Sequence, residues 1–476
     1  MKLSQVLGVI ERRELLWGRE EIEIVHIAND SRCVEKGSIF VAIKGYNVDG
    51  HRFLREAKDR GAVAFLVEEE PERIEGVTVV KVDNTRRALS LVASSFFGKP
   101  SSQLRVIGIT GTDGKTTTAF LIEQIFEKAG ISIARLSTVG HRVGKEEIPA
   151  LQTTPDPIIL QKFLREAVDG GSEFVVMEVS SHALSQERVY GIEFCAGLFT
   201  NLSSDHLDYH KTRSAYIEAK RKLFLQLKED SVCFVNIDDP FYNYVIKGTK
   251  AEVISYGIEN RADVMPEKIE EKGDGVRFLL EKEEIKTRLY GRHNIYNVLG
   301  AIAVAKYYGI EPYIIKDALR RFEPPPGRLE IVCDTPKVVI DYAHTPSALK
   351  SAISACWQMK PKRVIALFGC GGDRDREKRP IMGKIAEELA TCVIITSDNP
   401  RTEDPEKILD EIEEGMERRH FRIIDRREAI RSAIAMAESE DVVLIAGKGH
   451  ESYQIIGEDR VHFSDREEAM KALEER

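Results

Sequence analysis

Short apolar runs separated by helical patterns organise this chain. From residue 105 onward, RVIGIT, FVVMEV, AGLFTNL, SVCFVNI and EVISYG are each short enough for one strand and too continuously apolar to leave a face in water. Between them, 116–129 and 294–308 repeat their apolar residues at helical spacing. Buried strands alternating with helices predict an α/β fold with a mostly parallel sheet covered on both faces. The scheme recurs toward the C-terminus in KVVIDYAHTP, RVIALFGCGGD, CVIITSDNP and DVVLIAGKGHE. There each strand runs into a polar or Gly-rich segment, at the edge where open α/β sheets place their ligands.

Two interruptions divide the pattern. FFGKPSSQL (96–104) precedes the strand RVIGIT, and FEPPPGRLE (322–330) holds three consecutive prolines that cannot continue a helix. The expected domains are therefore 1–102, 103–327 and 328–476, in keeping with roughly 150 residues per domain for a chain of 476 residues.

Composition narrows the partners. With 69 Lys and Arg against 78 Asp and Glu, the net charge is 69 − 78 = −9, which repels phosphate backbones and anionic lipid. Nucleic acid and membranes are not expected partners. The seven cysteines are scattered without a C-x-x-C pair, as reduced cytosolic thiols would be. No apolar run approaches the roughly 18 residues of a membrane span, and the first residues, MKLSQVLGVIERRELLWG, break their apolar positions with Glu and Arg. A soluble, cytoplasmic protein is expected.

The strongest chemical signal is GITGTDGKTTT at 108–118. A buried strand passes through a glycine turn into a helix, so backbone N–H groups and the helix N-terminus can close on phosphate oxygens. Lys115 adds a full charge and Thr116 a hydroxyl for Mg²⁺. The strict phosphate-loop pattern places glycine where this chain has Ile109, so the match is to the variant G-x-x-G-T-x-G-K-T. An ATP or GTP site is the reading, although such loops also serve switches that make no bond. Glu178, at the end of FVVMEV, and His206, after AGLFTNL, would reach the same sheet edge and join Thr116 around Mg²⁺. By spacing alone, Lys220 in AYIEAK is one of many solvent-facing helix lysines.

Ten motifs stand in order: GITGTDGKTTT, MEVSSH, DHLDYH, AYIEAK, GRHNIYN, PGRLE, DYAHTP, FGCGGDRD, SDNPR and AGKGHE. Together they resemble the Mur ligase family over essentially the whole chain. The resemblance implies an N-terminal UDP-binding α/β domain, a central ATPase domain with a phosphate loop, and a C-terminal Rossmann-like domain. It implies that Gly111, Thr112, Asp113, Gly114, Lys115, Thr116 and Thr117 hold ATP, with Asn294, Arg328, Asp341 and His344 completing the nucleotide site. Lys115, Glu178, His206 and Lys220 would be catalytic, the last as a carbamate formed with CO₂ that helps Thr116, Glu178 and His206 serve Mg²⁺. The UDP-sugar would meet Ser31, Tyr46, Asn47 and Val48, and its sugar and peptide parts Thr153, Thr154, Ser180, Gln186, Arg188 and Lys220. Asp113 stands where the family more often has Asn; its carboxylate would oppose a triphosphate unless it faces away.

Within the family, the quartet Asp398, Asn399, Pro400 and Arg401 resembles that of members adding meso-diaminopimelate, with Arg374, Gly447 and Glu451 lining the same pocket. Arg401 can take the distal carboxylate in a planar fork, while Glu451 and Asn399 read the neighbouring ammonium. With lysine bound, the guanidinium would lack its partner, a loss of about 2–5 kcal/mol. The expected activity is therefore ATP-dependent addition of meso-diaminopimelate to UDP-N-acetylmuramoyl-L-alanyl-D-glutamate through an acyl phosphate, by a monomer. Alternatives are a sibling adding L-lysine or D-Ala-D-Ala, a folylpolyglutamate synthetase-like ligase, and a non-catalytic nucleotide switch.

Overall fold

The computed structural model describes residues 1–476 except 46, 47, 151 and 204. Three α/β units follow one another, each built on its own sheet. In the first, the strands lie in the order Arg13–Trp17, Thr78–Val82, Ala62–Val67, Ser38–Val41 and His26–Ala28. All pair in parallel except the edge strand Arg13–Trp17. The helix Thr85–Phe96 starts where Asn84 accepts a hydrogen bond from the Arg87 N–H, and it buries Leu89, Val92 and Ala93 against this sheet.

The second unit carries eight strands in the order Glu252–Tyr256, Val232–Asn236, Phe194–Phe199, Arg105–Thr110, Phe174–Glu178, Ile133–Leu136, Gly140–Val143 and Glu146–Pro149. The first six are parallel and the last two fold back as an antiparallel extension. Side chains alternate between two cores. Ile107, Ile109 and Val176 meet the helices Lys115–Lys128 and Arg292–Tyr307 on one face, while Val106, Val175 and Met177 meet Pro157–Asp169 and Arg213–Leu225 on the other. Two buried faces explain the continuously apolar strands. A separate antiparallel sheet, Glu267–Lys272, Gly275–Leu280 and Glu283–Thr287, was not expected; it adds Phe278 and Ile285 to the first of these cores.

The third unit orders its strands as Glu330–Asp334, Lys337–Asp341, Val442–Ala446, Val364–Phe368, Cys392–Ile395 and Phe421–Arg422, parallel but for the first. A two-stranded hairpin, Tyr453–Ile456 and Asp459–His462, follows. The chain enters this unit through Gly327, whose φ is +67° and where a Cβ would lie 2.1 Å from the His450 nitrogen. Only glycine passes at that point. All seven cysteines are free, and among the described residues no helix is long and apolar enough to cross a membrane.

Candidate active site

The strand Arg105–Thr110 sits between Phe174–Glu178 and Phe194–Phe199, so the loop leaving it is flanked by the ends of both neighbours. Gly111 (φ +151°) and Gly114 (φ +85°) shape that loop; a Cβ on them would lie 1.9 Å from Thr200 Oγ1 and 2.2 Å from Asn297 Oδ1. The loop is anchored by its neighbour: Thr112 N–H donates to the Asn201 carbonyl (2.9 Å) and Asp113 N–H to Asn201 Oδ1 (3.0 Å). Lys115 Nζ folds back to donate to the carbonyls of Gly111 (2.9 Å) and Thr112 (2.7 Å). Burial lowers its pKa, against the pull of Glu178 and Asp113.

Glu178 ties the first turn of the helix Lys115–Lys128 to the neighbouring loop at Thr138. Its Oε1 accepts from Thr116 Oγ1 at 2.8 Å and from the Thr138 N–H at 2.9 Å, and its Oε2 from Thr138 Oγ1 at 3.1 Å. From the third unit's side, Arg328 donates to Thr116 Oγ1 at 3.3 Å and stacks over the Tyr342 ring at 4.5 Å. A cavity of about 150 Å³ is lined by Thr112, Lys115, Thr116, Thr117, Thr153, Glu178, Asp205 and His206, among others. Burial pulls the His206 imidazole down to about 3, so it is neutral near pH 7 and one of its two ring nitrogens is free to ligate. Burial works against ionisation of Asp205, yet His206, His344 and Lys378 hold its carboxyl at about 2.

Lys220 is placed differently. It does not line that cavity; its side chain is buried at 1% exposure, with Nζ donating to the Gly111 carbonyl at 2.6 Å and lying 4.5 Å from the Tyr216 ring centroid. Burial, then Lys115, drives its pKa well below the ordinary lysine value. Among the described residues, no three His, Cys, Asp or Glu side chains converge on one metal position. The oxygen pair of Thr116 and Glu178 beside neutral His206 is nevertheless a donor set that suits Mg²⁺.

Next to the phosphate cavity, a second one of about 250 Å³ lies between the second and third units, lined by Asp113, Gly114, Asn294, Arg328, Asp341 and His344, among others. Two of these are already engaged. Asp341 accepts from the N–H groups of Leu329 and Ala343, both at 2.8 Å, and burial pushes its carboxyl up to about 6. Asn294 donates to the Tyr290 carbonyl and accepts from Asn297. Both shape the pocket wall through these bonds.

A cleft of about 740 Å³ separates the first and second units, and Ser31, Val48, Gln186 and Arg188 line it together with Asn29 and Asp156. Tyr46 and Asn47 lie outside the described residues. Arg188 donates to Gln186 Oε1 and to the Thr154 carbonyl, while Thr154 Oγ1 donates to the Glu178 carbonyl and accepts from Ser180 N–H. Ser180 Oγ is taken up as the cap of the helix Ser181–Ser185. This chain of bonds joins the wide cleft to the phosphate cavity, which Thr153 lines.

In the third unit, residues 398–401 follow the strand Cys392–Ile395. Arg401 is half-buried, donates to the Gly372 carbonyl at 2.7 Å, and has no ion-pair partner among the described residues. It lines a cleft of about 460 Å³ together with Pro400. Burial, then Arg374, lowers its pKa. Asn399 donates to Glu451 Oε2 at 3.0 Å, and Asp398 Oδ2 stands 2.6 Å from where Gly447 would carry a Cβ. Arg374 lies 3.9 Å from Asp208 of the second unit. Sequence reasoning missed Thr138, Asp205 and Lys448. The last two sit inside motifs already singled out, whereas Thr138 carries no local signal.

The family described as the Mur ligase middle domain matches residues 109–305, the Mur ligase glutamate ligase domain 327–449, and the Mur ligase family catalytic domain 23–97. The UDP-N-acetylmuramoyl-L-alanyl-D-glutamate–2,6-diaminopimelate ligase of Clostridium botulinum is 41% identical over 487 residues, covering 100% of both chains. The chain belongs to the Mur ligase family. A second Mur ligase of the same name, from Geobacillus thermodenitrificans, is 45% identical over 469 residues, covering 95% of this chain and 96% of its own. A solved structure of a ligase with that name superposes with a TM-score of 0.71 at 32% identity, covering 100% of this chain and 99% of the other. The folylpolyglutamate synthase of Mycobacterium tuberculosis shares the Mur ligase fold at 17% identity, with a TM-score of 0.63 over 82% of this chain and 95% of that one.

Proposed function

We propose that this Mur ligase joins meso-2,6-diaminopimelate to UDP-N-acetylmuramoyl-L-alanyl-D-glutamate at the expense of ATP, in peptidoglycan precursor synthesis. The observation that carries the choice of amino acid is Arg401: a half-buried guanidinium without a carboxylate partner among the described residues, beside the Asn399–Glu451 pair. A diamino diacid offers both the missing carboxylate and an ammonium, whereas lysine offers only the ammonium. The names of the relatives at 41% and 45% identity agree with this reading.

The arrangement supports an acyl-phosphate route. The γ-carboxylate of the glutamyl residue attacks the γ-phosphorus of ATP, ADP leaves, and the amine of diaminopimelate then displaces phosphate from the acyl phosphate to form the amide. Lys115, released from the Gly111 and Thr112 carbonyls, would place its charge on the transferring phosphoryl group, and the loop N–H groups would receive the other phosphate oxygens. Thr116, Glu178 and His206, with Lys220 as a carbamate, would hold Mg²⁺, which supplies charge neutralisation on the phosphates. A lysine whose amine is neutral is the nucleophile CO₂ requires, and burial of Lys220 favours that form. The UDP-sugar would occupy the 740 Å³ cleft, with Ser31, Gln186 and Arg188 on its walls. Arg328 and Asp113, both touching side chains across the unit boundary, would help keep water from the acyl phosphate.

The test is phosphate release. Full turnover is expected only when ATP, the UDP-dipeptide and diaminopimelate are all present; equal release with the UDP-dipeptide and amino acid omitted would refute ligation and favour a nucleotide switch.

A further inference from the structure

After the strand Val442–Ala446 the chain runs Gly447, Lys448, Gly449, His450, Glu451. Both glycines have positive φ, +118° and +55°, and a Cβ on them would lie 2.6 Å from Asp398 Oδ2 and 2.7 Å from Tyr342 Cβ. The turn they make sends the lysine between them inward. Lys448 is 0% exposed, a rare state for this residue type unless it is paired. Its Nζ donates to Asn399 Oδ1 and to Glu451 Oε2, each at 3.1 Å, and lies 5.5 Å from the Tyr453 ring centroid.

These bonds fix more than the lysine. Asn399 Oδ1 also accepts from the Ile455 N–H at 3.0 Å, so its two acceptor positions are filled and the amide is oriented with Nδ2 on Glu451 Oε2 at 3.0 Å. Glu451 Oε2 is thus held twice. Glu451 Oε1 has no hydrogen-bond partner among the described residues, and the side chain remains 15% exposed.

We propose that Lys448 is the positioning residue for amino-acid recognition: it clamps Asn399 and one oxygen of Glu451, leaving Oε1 as the acceptor for the ammonium of the incoming diamino acid. The inference rests on the diaminopimelate reading for the identity of the ligand, but the clamp itself requires only an ammonium. Without Lys448, the partly buried carboxylate of Glu451 loses its cation, and Arg401, which already feels the Glu451 charge, becomes an alternative partner. Glu451 would then compete for the guanidinium reserved for the distal carboxylate. Both ends of the amino acid would lose their receptor at once.

The experiment compares the wild type with Lys448→Met, which removes all donors, and with the milder Lys448→Gln, which keeps an N–H donor without charge. Measured by phosphate release, KM for diaminopimelate is expected to rise by roughly 10-fold or more in Lys448→Met, with KM for ATP and for the UDP-dipeptide unchanged. Lys448→Gln should fall between. Combining Lys448→Met with Asn399→Ala should raise KM by less than the product of the single effects, since both act through Glu451. A KM for the amino acid that stays at the wild-type value in folded Lys448→Met, or in Lys448→Gln should the first variant not fold, overturns the proposal; so do multiplicative effects in the double variant. If the wild type couples L-lysine as well as diaminopimelate, the diaminopimelate reading fails, and the KM for lysine in the same variants still decides the role of Lys448.

Discussion

The Asp113 carboxylate accepts a hydrogen bond from Ser347 Oγ at 3.0 Å, joining the phosphate loop of the second unit to the first turn of the helix Pro346–Gln358 in the third. Ser203 Oγ stands 3.4 Å from the same oxygen. The extra charge that the sequence places beside the triphosphate is thus drawn toward two hydroxyls, and the bond spans the cleft in which the nucleotide would lie.

Ser347→Ala removes one of those donors and frees the carboxylate. KM for ATP should rise by roughly 2- to 10-fold, the scale of one hydrogen bond, while KM for the UDP-dipeptide holds. Asp113→Asn keeps an acceptor for Ser347 and removes the charge, so its KM for ATP should equal or fall below the wild-type value. Steady-state kinetics on the two variants checks this, and a larger loss of ATP affinity in Asp113→Asn than in Ser347→Ala would contradict it.

Lys220 supplies a second prediction. Its buried amine is pushed toward the neutral form, which reacts with CO₂. Protein equilibrated with ¹³C-bicarbonate should show a carbamate carbon resonance that is missing in Lys220→Arg, and activity should decline in CO₂-depleted buffer and recover when bicarbonate returns. Activity indifferent to bicarbonate, with no such resonance, would remove Lys220 from the metal site.

The buried ring of His210 gives a pH dependence. Burial, with His182 and Lys220 nearby, lowers its pKa from 6.5 to about 4, and its Nε2 lies 2.9 Å from Ser181 Oγ. The unfolded chain therefore binds this proton more readily than the folded one, so the contribution is fully present above pH 6.5 and is lost as pH falls toward about 4. His210→Asn should flatten the fall of thermal midpoint over this interval, as followed by calorimetry; an unchanged slope would show that His210 does not drive it.

Two-sided burial writes an element's type into its own apolar pattern, whereas structure that depends on distant packing leaves little local trace. Arg105–Thr110, Phe174–Glu178 and the helix Lys115–Lys128 were legible because their apolar pattern is dictated by the sheet faces they fill. The strands Glu267–Lys272 and Glu283–Thr287 are mostly charged, and the few apolar residues of their sheet are buried by the helix Pro312–Arg320, far along the chain. In the candidate site, the glycines of the phosphate loop and Glu178 stand out through residue type and place, and Arg401 through the resemblance of its quartet to the family's. Asp341 and Asn294 were named as nucleotide contacts, but their bonds to Leu329, Ala343 and Tyr290 become visible only in three dimensions. Lys448 was overlooked because glycine-flanked lysines read as exposed bends, whereas here the flanking glycines turn the side chain into the protein.

The most direct test of the amino-acid assignment is competition: purified protein, ATP and UDP-N-acetylmuramoyl-L-alanyl-D-glutamate are mixed with equimolar meso-diaminopimelate and L-lysine, and the UDP-tripeptides are counted by mass spectrometry. With Arg401 awaiting a distal carboxylate, the diaminopimelate product should exceed the lysine product by at least roughly 30-fold. Equal amounts of the two products, or an excess of the lysine product, would contradict the assignment.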